Sequence, residues 1–288
     1  MLRLRTTRRP VFVTALFVGL ALAGALALPG GATSRAVHAT PRGYYLALGD
    51  SMAYGIQPTK VKPGARPSDF DTGYVDVFAA RLRKLTPGLR VVNYGCPGES
   101  TVTFTRGGCP AFADHVKLHD AFRGSQLDAA LSFLRVHPGD VSPITVTLYG
   151  NDWLPVLLDT CKGNVVCARK HAPSATTAFA SRLTAILRRI RAAAPEAEVI
   201  VTGAWNPDPN SLRQLRSVYR SLEASIARAA TSEDARFAPM LPVFNPHGTL
   251  KAQSARLCAY TFICSKSDPH PTDAGYRAMA AAVMQAWR

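Results

Sequence analysis

Four short blocks of the sequence combine residue types suited to nucleophilic catalysis. A serine hydroxyl is a poor nucleophile unless a neighbouring base removes its proton, and imidazole is suited to this because it titrates near neutral pH. The negative charge that develops on the attacked group needs N–H donors, which glycine backbones and asparagine amides provide at close range. In chain order the blocks are Gly49-Asp50-Ser51, Asn93-Tyr94-Gly95-Cys96-Pro97-Gly98-Glu99-Ser100, Gly150-Asn151-Asp152 and Asp268-Pro269-His270-Pro271.

The elements that must position these blocks are predicted by the pattern of apolar residues. Short apolar runs predict strands at 44–48, 89–93, 144–148 and 198–202, and around 240–244. Helical spacing predicts helices at 74–85, 127–136, 176–193 and 212–229, and a last helix from Pro271 to Trp287. This alternation is typical of one three-layer α/β/α domain with a parallel sheet of about five strands. Three blocks directly follow strands, where functional residues of such sheets collect, and the fourth opens the last helix.

With all four blocks in this order, the sequence resembles the SGNH (GDSL-type) hydrolase family. The resemblance covers the chain from residue 40 to residue 288, because the blocks stand in family order and at family-like separations. A Gly-Asp-Ser tripeptide alone occurs often by chance, whereas four ordered blocks on a matching strand–helix pattern are a specific signal. The resemblance implies a flavodoxin-like SGNH hydrolase fold and an esterase or lipase that cleaves carboxylic esters through an acyl-enzyme, without a metal or another cofactor.

The resemblance also assigns a role to one residue in each block. Ser51 is the expected nucleophile and His270 its general base. The oxyanion hole is expected to consist of the Ser51 N–H, the Gly98 N–H and the side-chain amide of Asn151. Gly98 is favoured because the family's donor glycine follows five residues after the position of Asn93, which leaves Gly95 as the lesser candidate.

The third catalytic residue departs from the commoner family spacing. The family's acid usually stands three residues before the histidine, where this chain has Ser267, and Asp268 stands two before His270. Side chains two apart on an extended segment point to the same side, and Pro269 stiffens the connection. We therefore expect Asp268 to orient the His270 ring; the alternative is that Asp268 caps a turn and a backbone carbonyl orients the ring.

Residues 1–39 read as a secretory signal peptide. Arg3, Arg5, Arg8 and Arg9 precede an apolar, uncharged run from Val11 to Leu28, and the small residues around Val37-His38-Ala39 suit a cleavage site. The apolar run is just long enough to span a bilayer, so an uncleaved N-terminal membrane anchor is the alternative. The expected location is extracellular.

The charge of the chain bears on its partners. Five of the 34 basic residues and none of the 19 acidic ones fall in residues 1–39, so the rest carries a net charge of about +10. Basic residues are scattered along helices without interleaved aromatics, which disfavours nucleic-acid binding. The expected partner is a small-molecule or lipid ester, with peripheral contact to an anionic envelope or membrane surface as a further option. We expect a monomer.

Six cysteines behind a signal peptide imply disulfides. Proximity along the chain favours the pairs Cys96–Cys109, Cys161–Cys167 and Cys258–Cys264, although other connectivities are open from the sequence. Three local disulfides also resemble those of secreted actinobacterial lipases of the family. A metal site is disfavoured because no pair has C-x-x-C spacing with partner histidines.

Two functional alternatives accompany the esterase prediction. The same mechanism would serve the O-deacetylation of a polysaccharide, although three tryptophans give few platforms for sugar stacking. A non-catalytic envelope-binding protein on the same fold is the other alternative, and the complete set of blocks argues against it. The loop at 56–72 is expected at the surface, as a wall or a lid of the site.

Overall fold

A computed structural model of the chain describes residues 40–113 and 116–288, which belong to one compact unit. The predicted signal peptide, residues 1–39, lies outside the described residues. Among the residues described, no helix is both long and apolar enough to cross a membrane.

A five-stranded sheet, parallel throughout, forms the central layer in the order β2-β1-β3-β4-β5. The strands are β1 (Tyr44–Gly49), β2 (Arg90–Asn93), β3 (Val141–Thr147), β4 (Val199–Thr202) and β5 (Arg236–Ala238). Every residue of β1, β3 and β4 is buried, because helices cover both faces of a parallel sheet. The predicted fold class is confirmed.

The helices form the outer layers. The longer ones are α2 (Tyr74–Leu82), α5 (Gln126–Val136), α7 (Val165–Ala193), α8 (Arg216–Ser232), α10 (Leu250–Tyr260) and α12 (Asp273–Trp287). The short ones are α1 (Ser51–Tyr54), α3 (Thr101–Arg106), α4 (Pro110–Ala113), α6 (Gly150–Pro155), α9 (Leu241–Phe244) and α11 (Ile263–Lys266). Helix α2 packs against α12, where the rings of Phe78 and Trp287 meet edge to face. Helices α5 and α8 pack on either side of α7.

The strand order creates a switch point at the carboxyl end of β1. The chain passes from β1 to β2 on one side, and then crosses from β2 to β3 on the other side of β1. In sheets of this type the loops diverge at such a point and leave a crevice for a ligand. Helices α1 and α6, which begin at Ser51 and Gly150, start beside this crevice.

The predicted position of the fifth strand was wrong. Strand β5 lies at Arg236–Ala238, and Leu241–Phe244 forms helix α9. The Glu223 carboxylate accepts hydrogen bonds from the backbone N–H groups of Met240 and Leu241, at 2.6 and 2.8 Å. These two N–H groups are therefore not available to a neighbouring strand. The next residue, Pro242, has no N–H to donate. The helix predicted from 212 begins later, at Arg216.

The three predicted disulfides are confirmed as Cys96–Cys109, Cys161–Cys167 and Cys258–Cys264. The first closes the loop that carries Gly98. The surface loop at 56–72 contains one 3₁₀ turn, Pro67–Phe70, whose phenylalanine packs against Tyr54 with 5.2 Å between ring centroids. This contact holds the loop against the end of α1.

Candidate active site

Ser51 stands at the sharp turn from β1 into α1. Gly49 has φ +138°, and a Cβ there would lie 2.1 Å from the Thr147 carbonyl oxygen, so this position requires glycine. Asp50 caps the helix, since its carboxylate accepts the Met52 N–H at 2.9 Å. Ser51 is the first residue of α1, so its N–H has no helical acceptor. The turn thus leaves the hydroxyl and the N–H of one residue at the crevice.

The capping carboxyl of Asp50 is buried, and this changes its ionisation. The pKa of Asp50 is raised to about 7, mainly by burial and also by the nearby carboxyls of Asp152 and Glu99, against the hydrogen bond from Met52, which lowers it. Asp50 therefore supports the turn as a carboxyl that is partly protonated near neutral pH.

Gln126, the first residue of α5, holds the end of β1 through two hydrogen bonds. Its Oε1 accepts the Gly49 N–H at 2.6 Å, and its Nε2 donates to the Gly49 carbonyl at 3.0 Å. The same Nε2 lies 3.0 Å from Oε2 of Glu99, and both side chains are almost fully buried. Gln126 thus links the residue before the Asp50–Ser51 turn to the second block.

The two glycines of the second block occupy different environments. The Gly95 N–H donates to Oδ1 of Asn93 at 2.9 Å, and a Cβ on Gly95 would lie 2.5 Å from the Tyr54 nitrogen. Gly95 therefore packs the loop against α1. Gly98 has φ +85°, and its N–H donates no hydrogen bond to any described residue. Of the two, only Gly98 has a backbone donor free for a ligand.

The third block lies next to the second. The Asn151 amide donates to the backbone carbonyl of Glu99 at 2.9 Å, which places it one residue from Gly98. Asp152 is a structural neighbour, because its carboxylate accepts from the N–H and the hydroxyl of Thr101 and forms an ion pair with Arg182 at 3.0 Å. The predicted donors Gly98 and Asn151 therefore share one wall of the crevice.

The fourth block pairs its histidine with its aspartate. Nδ1 of His270 lies 2.7 Å from Oδ1 of Asp268, and the same oxygen accepts the His270 backbone N–H at 2.8 Å. Burial opposes ionisation of Asp268, but the hydrogen bonds and charge of His270 outweigh it and lower the pKa of Asp268. The ring partner of His270 is thus Asp268 and not a backbone carbonyl.

Side chains after α1 tie the fourth block to the first. Nε2 of Gln57 donates to Oδ1 of Asp273 at 2.8 Å and lies 3.4 Å from the Pro271 carbonyl oxygen. The Tyr276 hydroxyl donates to the Ile56 carbonyl at 2.8 Å. These bonds hold the beginning of α12, directly after His270, against the segment that follows Ser51.

Two groups of possible metal ligands occur among the described residues: Cys161, Cys167 and His171, and Cys96, Glu99 and Cys109. Each contains a disulfide, so its sulfurs offer no thiolate to an ion. Neither group suits a metal in the oxidised protein.

Three residues that support the blocks from distant parts of the chain, Gln126, Gln57 and Arg182, were not predicted from the sequence. Gln126 lies 77 residues from Gly49. No motif marks Gln126, because a polar residue at the start of an amphipathic helix is common and does not indicate a particular contact. Glu99 lies inside the second block, but nothing in the sequence indicated that its carboxyl is buried.

The chain matches a family of known proteins over most of its length. The model of the GDSL-like Lipase/Acylhydrolase family matches residues 47–278, a region that contains all four blocks. The chain belongs to this family. No match was found among curated protein sequences.

Solved structures similar to this GDSL-family hydrolase share its fold at low sequence identity. A phospholipase A1 from Streptomyces albidoflavus is 17% identical, with a TM-score of 0.58, over 86% of this chain and 100% of that one. An extracellular lipase from Streptomyces rimosus is 17% identical, with a TM-score of 0.57, over 84% and 99%. A variant of an acetyl xylan esterase from Geobacillus stearothermophilus is 17% identical, with a TM-score of 0.51, over 86% and 95%. At these identities the likeness establishes the fold.

The raised pKa of Asp50 predicts a pH-dependent difference in stability between the parent and Asp50→Asn. Because the pKa in the folded protein lies above the ordinary carboxyl value of 3.8, the protonated form favours folding, and this stabilisation is lost as the pH rises from about 4 to about 7. Asparagine keeps an acceptor for the Met52 N–H and does not ionise. Relative to the parent, the variant should gain up to about 1.4 kcal/mol for each pH unit across this interval, measured by urea unfolding from pH 4 to pH 8. A constant difference would contradict the raised pKa.

Replacing Gln126 should destabilise the protein through the groups that it leaves unpaired. Gln126→Leu strands the buried Gly49 N–H and Oε2 of Glu99, and we expect a loss of about 2–4 kcal/mol in the free energy of unfolding. Gln253→Leu is the matched control, since Gln253 is also buried but makes one hydrogen bond, to the Gly248 carbonyl. If urea unfolding gives the same loss of unfolding free energy for both variants, the additional hydrogen bonds of Gln126 do not contribute to stability.

Proposed function

We propose that this GDSL-family hydrolase is a secreted serine esterase or lipase that hydrolyses carboxylic esters with Ser51 as nucleophile. Hydrogen bonds that link the blocks support the proposal: the Asn151 amide donates to the Glu99 carbonyl, next to Gly98, His270 is bonded to Asp268, and the start of α12 is bonded to the segment after α1. A free hydroxyl, an oriented imidazole and unpaired N–H donors are the groups that acyl transfer from an ester requires.

The first half of the proposed reaction forms an acyl-enzyme. Oγ of Ser51 attacks the ester carbonyl carbon while Nε2 of His270 takes the hydroxyl proton. Negative charge moves to the carbonyl oxygen, which accepts hydrogen bonds from the N–H groups of Ser51 and Gly98 and from Nδ2 of Asn151. When the tetrahedral intermediate collapses, His270 gives its proton to the leaving alkoxide, which departs as an alcohol.

The second half releases the acid. A water molecule attacks the acyl carbon and gives a proton to Nε2 of His270. When the second tetrahedral intermediate collapses, the bond between the acyl carbon and Oγ of Ser51 breaks, His270 returns the proton to Oγ, and the carboxylic acid departs. Asp268 accepts a hydrogen bond from the Nδ1–H of His270 in both halves, which fixes the ring and stabilises the imidazolium that forms.

Secretion is supported by three disulfides and by the extracellular lipase of S. rimosus among the structural neighbours. The basic stretch and apolar run of residues 1–39 are the proposed signal, which leaves residues 40–288 as the mature hydrolase domain.

Ser51→Ala should abolish ester hydrolysis. We expect kcat/KM for p-nitrophenyl butyrate to fall by about 10⁴-fold or more, because the nucleophile and the proton transfer are lost together. Ser174→Ala, at an exposed position on α7, is the control and should keep the parent activity. Equal rates for the parent and Ser51→Ala would refute the assignment, as would failure of a fluorophosphonate probe to label Ser51 in the folded parent.

Asp268→Ala tests the third member of the triad. We expect kcat to fall by about 10²–10⁴-fold with little change in KM, because the aspartate acts on the charge that His270 acquires in the transition state. Ser267→Gly changes the commoner position of the family's acid, and it accommodates the φ of +54° found there. If Ser267→Gly lowers kcat as much as Asp268→Ala, the aspartate is not the functional partner.

Polysaccharide O-deacetylation by the same residues is the second candidate, supported by the acetyl xylan esterase among the structural neighbours. An ester panel from acetate to long acyl chains, together with acetylated xylan, separates the two. A lipase or general esterase should prefer simple or longer acyl esters, whereas a deacetylase should release acetate from the glycan and leave long-chain esters intact.

A further inference from the structure

The arginines near the two ends of α7 and α8 differ in the ion pairs and hydrogen bonds that they form. Where α7 ends and β4 begins, at the amino edge of the sheet, Arg188 pairs with Glu233 at 2.8 Å and Arg189 with Asp128 at 3.2 Å. Arg191 donates to five backbone carbonyls in the same region, including that of Ala197 at 2.7 Å. At the amino edge, these three guanidinium groups are satisfied within the chain.

At the opposite end, four exposed arginines have no such partners. Arg169 lies near the start of α7, and Arg213, Arg216 and Arg220 lie at and just before the start of α8. They line one open cleft of about 660 Å³, the arginine cleft, whose other lining residues are Gln214, Ser217 and Ser221. Within residues 40–113 and 116–288, none of the four forms an ion pair or a side-chain hydrogen bond. Among the residues that the structure describes, no acidic side chain lines the cleft.

This arrangement opposes the stability of the isolated protein. Arg216 and Arg220 are four residues apart on one helix, where like charges repel. Arg216 is also the first residue of α8, at the end of the helix where the dipole disfavours a cation. Since none of the four arginines forms an ion pair with a described residue, an external anion would compensate these charges.

The arginine cleft adjoins a second cavity that is suited to an apolar group. Arg216 and Arg220 also line this cavity of about 330 Å³, whose apolar walls are Leu212, Tyr219, Leu241, Pro242 and Pro246. One acid, Glu223, lines it as well, but its Oε1 is already bonded to two backbone N–H groups.

Both cavities lie at the carboxyl edge of the sheet, where the proposed catalytic residues lie. The loops that line the apolar cavity follow β4 and β5, which are parallel to β1 and β3. The Tyr219 hydroxyl accepts the indole N–H of Trp153 at 3.0 Å, and Trp153 is two residues beyond Asn151. The buried face of α8 thus contacts the helix that carries Asn151, and its exposed face carries the arginines.

We propose that the arginine cleft binds the headgroups of an anionic phospholipid surface. Lipid fits better than a linear anionic polymer, because the same two arginines border an apolar cavity and Val166, three residues before Arg169, is 75% exposed. Binding there would present lipid esters to the carboxyl edge. That last step rests on the proposed function, whereas binding itself does not.

The test uses the full mature chain with Ser51→Ala, so that lipid is not hydrolysed and failure of the esterase proposal cannot affect the result. Binding is measured by co-sedimentation with phosphatidylcholine vesicles, with and without phosphatidylglycerol. The Arg216→Gln/Arg220→Gln double variant is compared with Lys84→Gln/Arg135→Gln, which removes the same charge from exposed positions near the amino edge. Thermal unfolding checks that both variants are folded.

We expect the protein to bind vesicles that contain phosphatidylglycerol and to bind the neutral ones weakly. Each basic residue near an anionic leaflet contributes about fivefold in affinity, so the cleft variant should bind about 25-fold more weakly, whereas the control should stay near the parent. Added salt should weaken the binding.

Three outcomes would overturn the proposal. Equal losses in the cleft and control variants would mean that net charge alone attracts the protein. Equal binding to neutral vesicles would remove the role of the headgroup. Displacement from the vesicles by millimolar inorganic phosphate would indicate a site for a small anion and not for a lipid surface.

Discussion

The contact between Gly49 and Thr147 is the constraint on which the site depends. The backbone of β1 approaches β3 so closely that any side chain at position 49 would overlap the Thr147 carbonyl oxygen. The chain must therefore leave the sheet at once, and it does so through a left-handed glycine, a capping aspartate and a one-turn helix. Because this happens at the switch point between β2 and β3, the first residue of the helix, Ser51, lies where the loops diverge.

Hydrogen bonds hold the other blocks to this turn, and some N–H groups of the blocks take no part in them. Gln126 joins Gly49 to Glu99, and the Glu99 carbonyl in turn holds the amide of Asn151. Gly95 uses its N–H within its own loop, while Gly98 does not.

The sequence predicts most of this fold and the chemical groups of the site, but not their supports. Short but continuous apolar runs predicted β1, β3 and β4, because strands buried on both faces have apolar residues at successive positions. Strand β5 was misplaced because it has only three residues at the edge of the sheet, and a more apolar segment, Leu241–Phe244, follows it. The spacing of Asp268 and His270 was sufficient to predict their hydrogen bond, since it depends on local geometry. Gln126 reaches Gly49 across the fold, and no local pattern encodes that contact.

The uneven pairing of arginines also makes the charge distribution of the molecule asymmetric. The ion pairs of Arg188 and Arg189 reduce the field of those two charges beyond the protein, whereas the four arginines of the cleft, which form no ion pair with a described residue, project a positive potential into the solvent. In the field of a negatively charged body the molecule experiences a torque that turns this edge forward. Its productive encounters would then exceed those of a molecule of equal net charge spread evenly, because rotation is biased before contact is made.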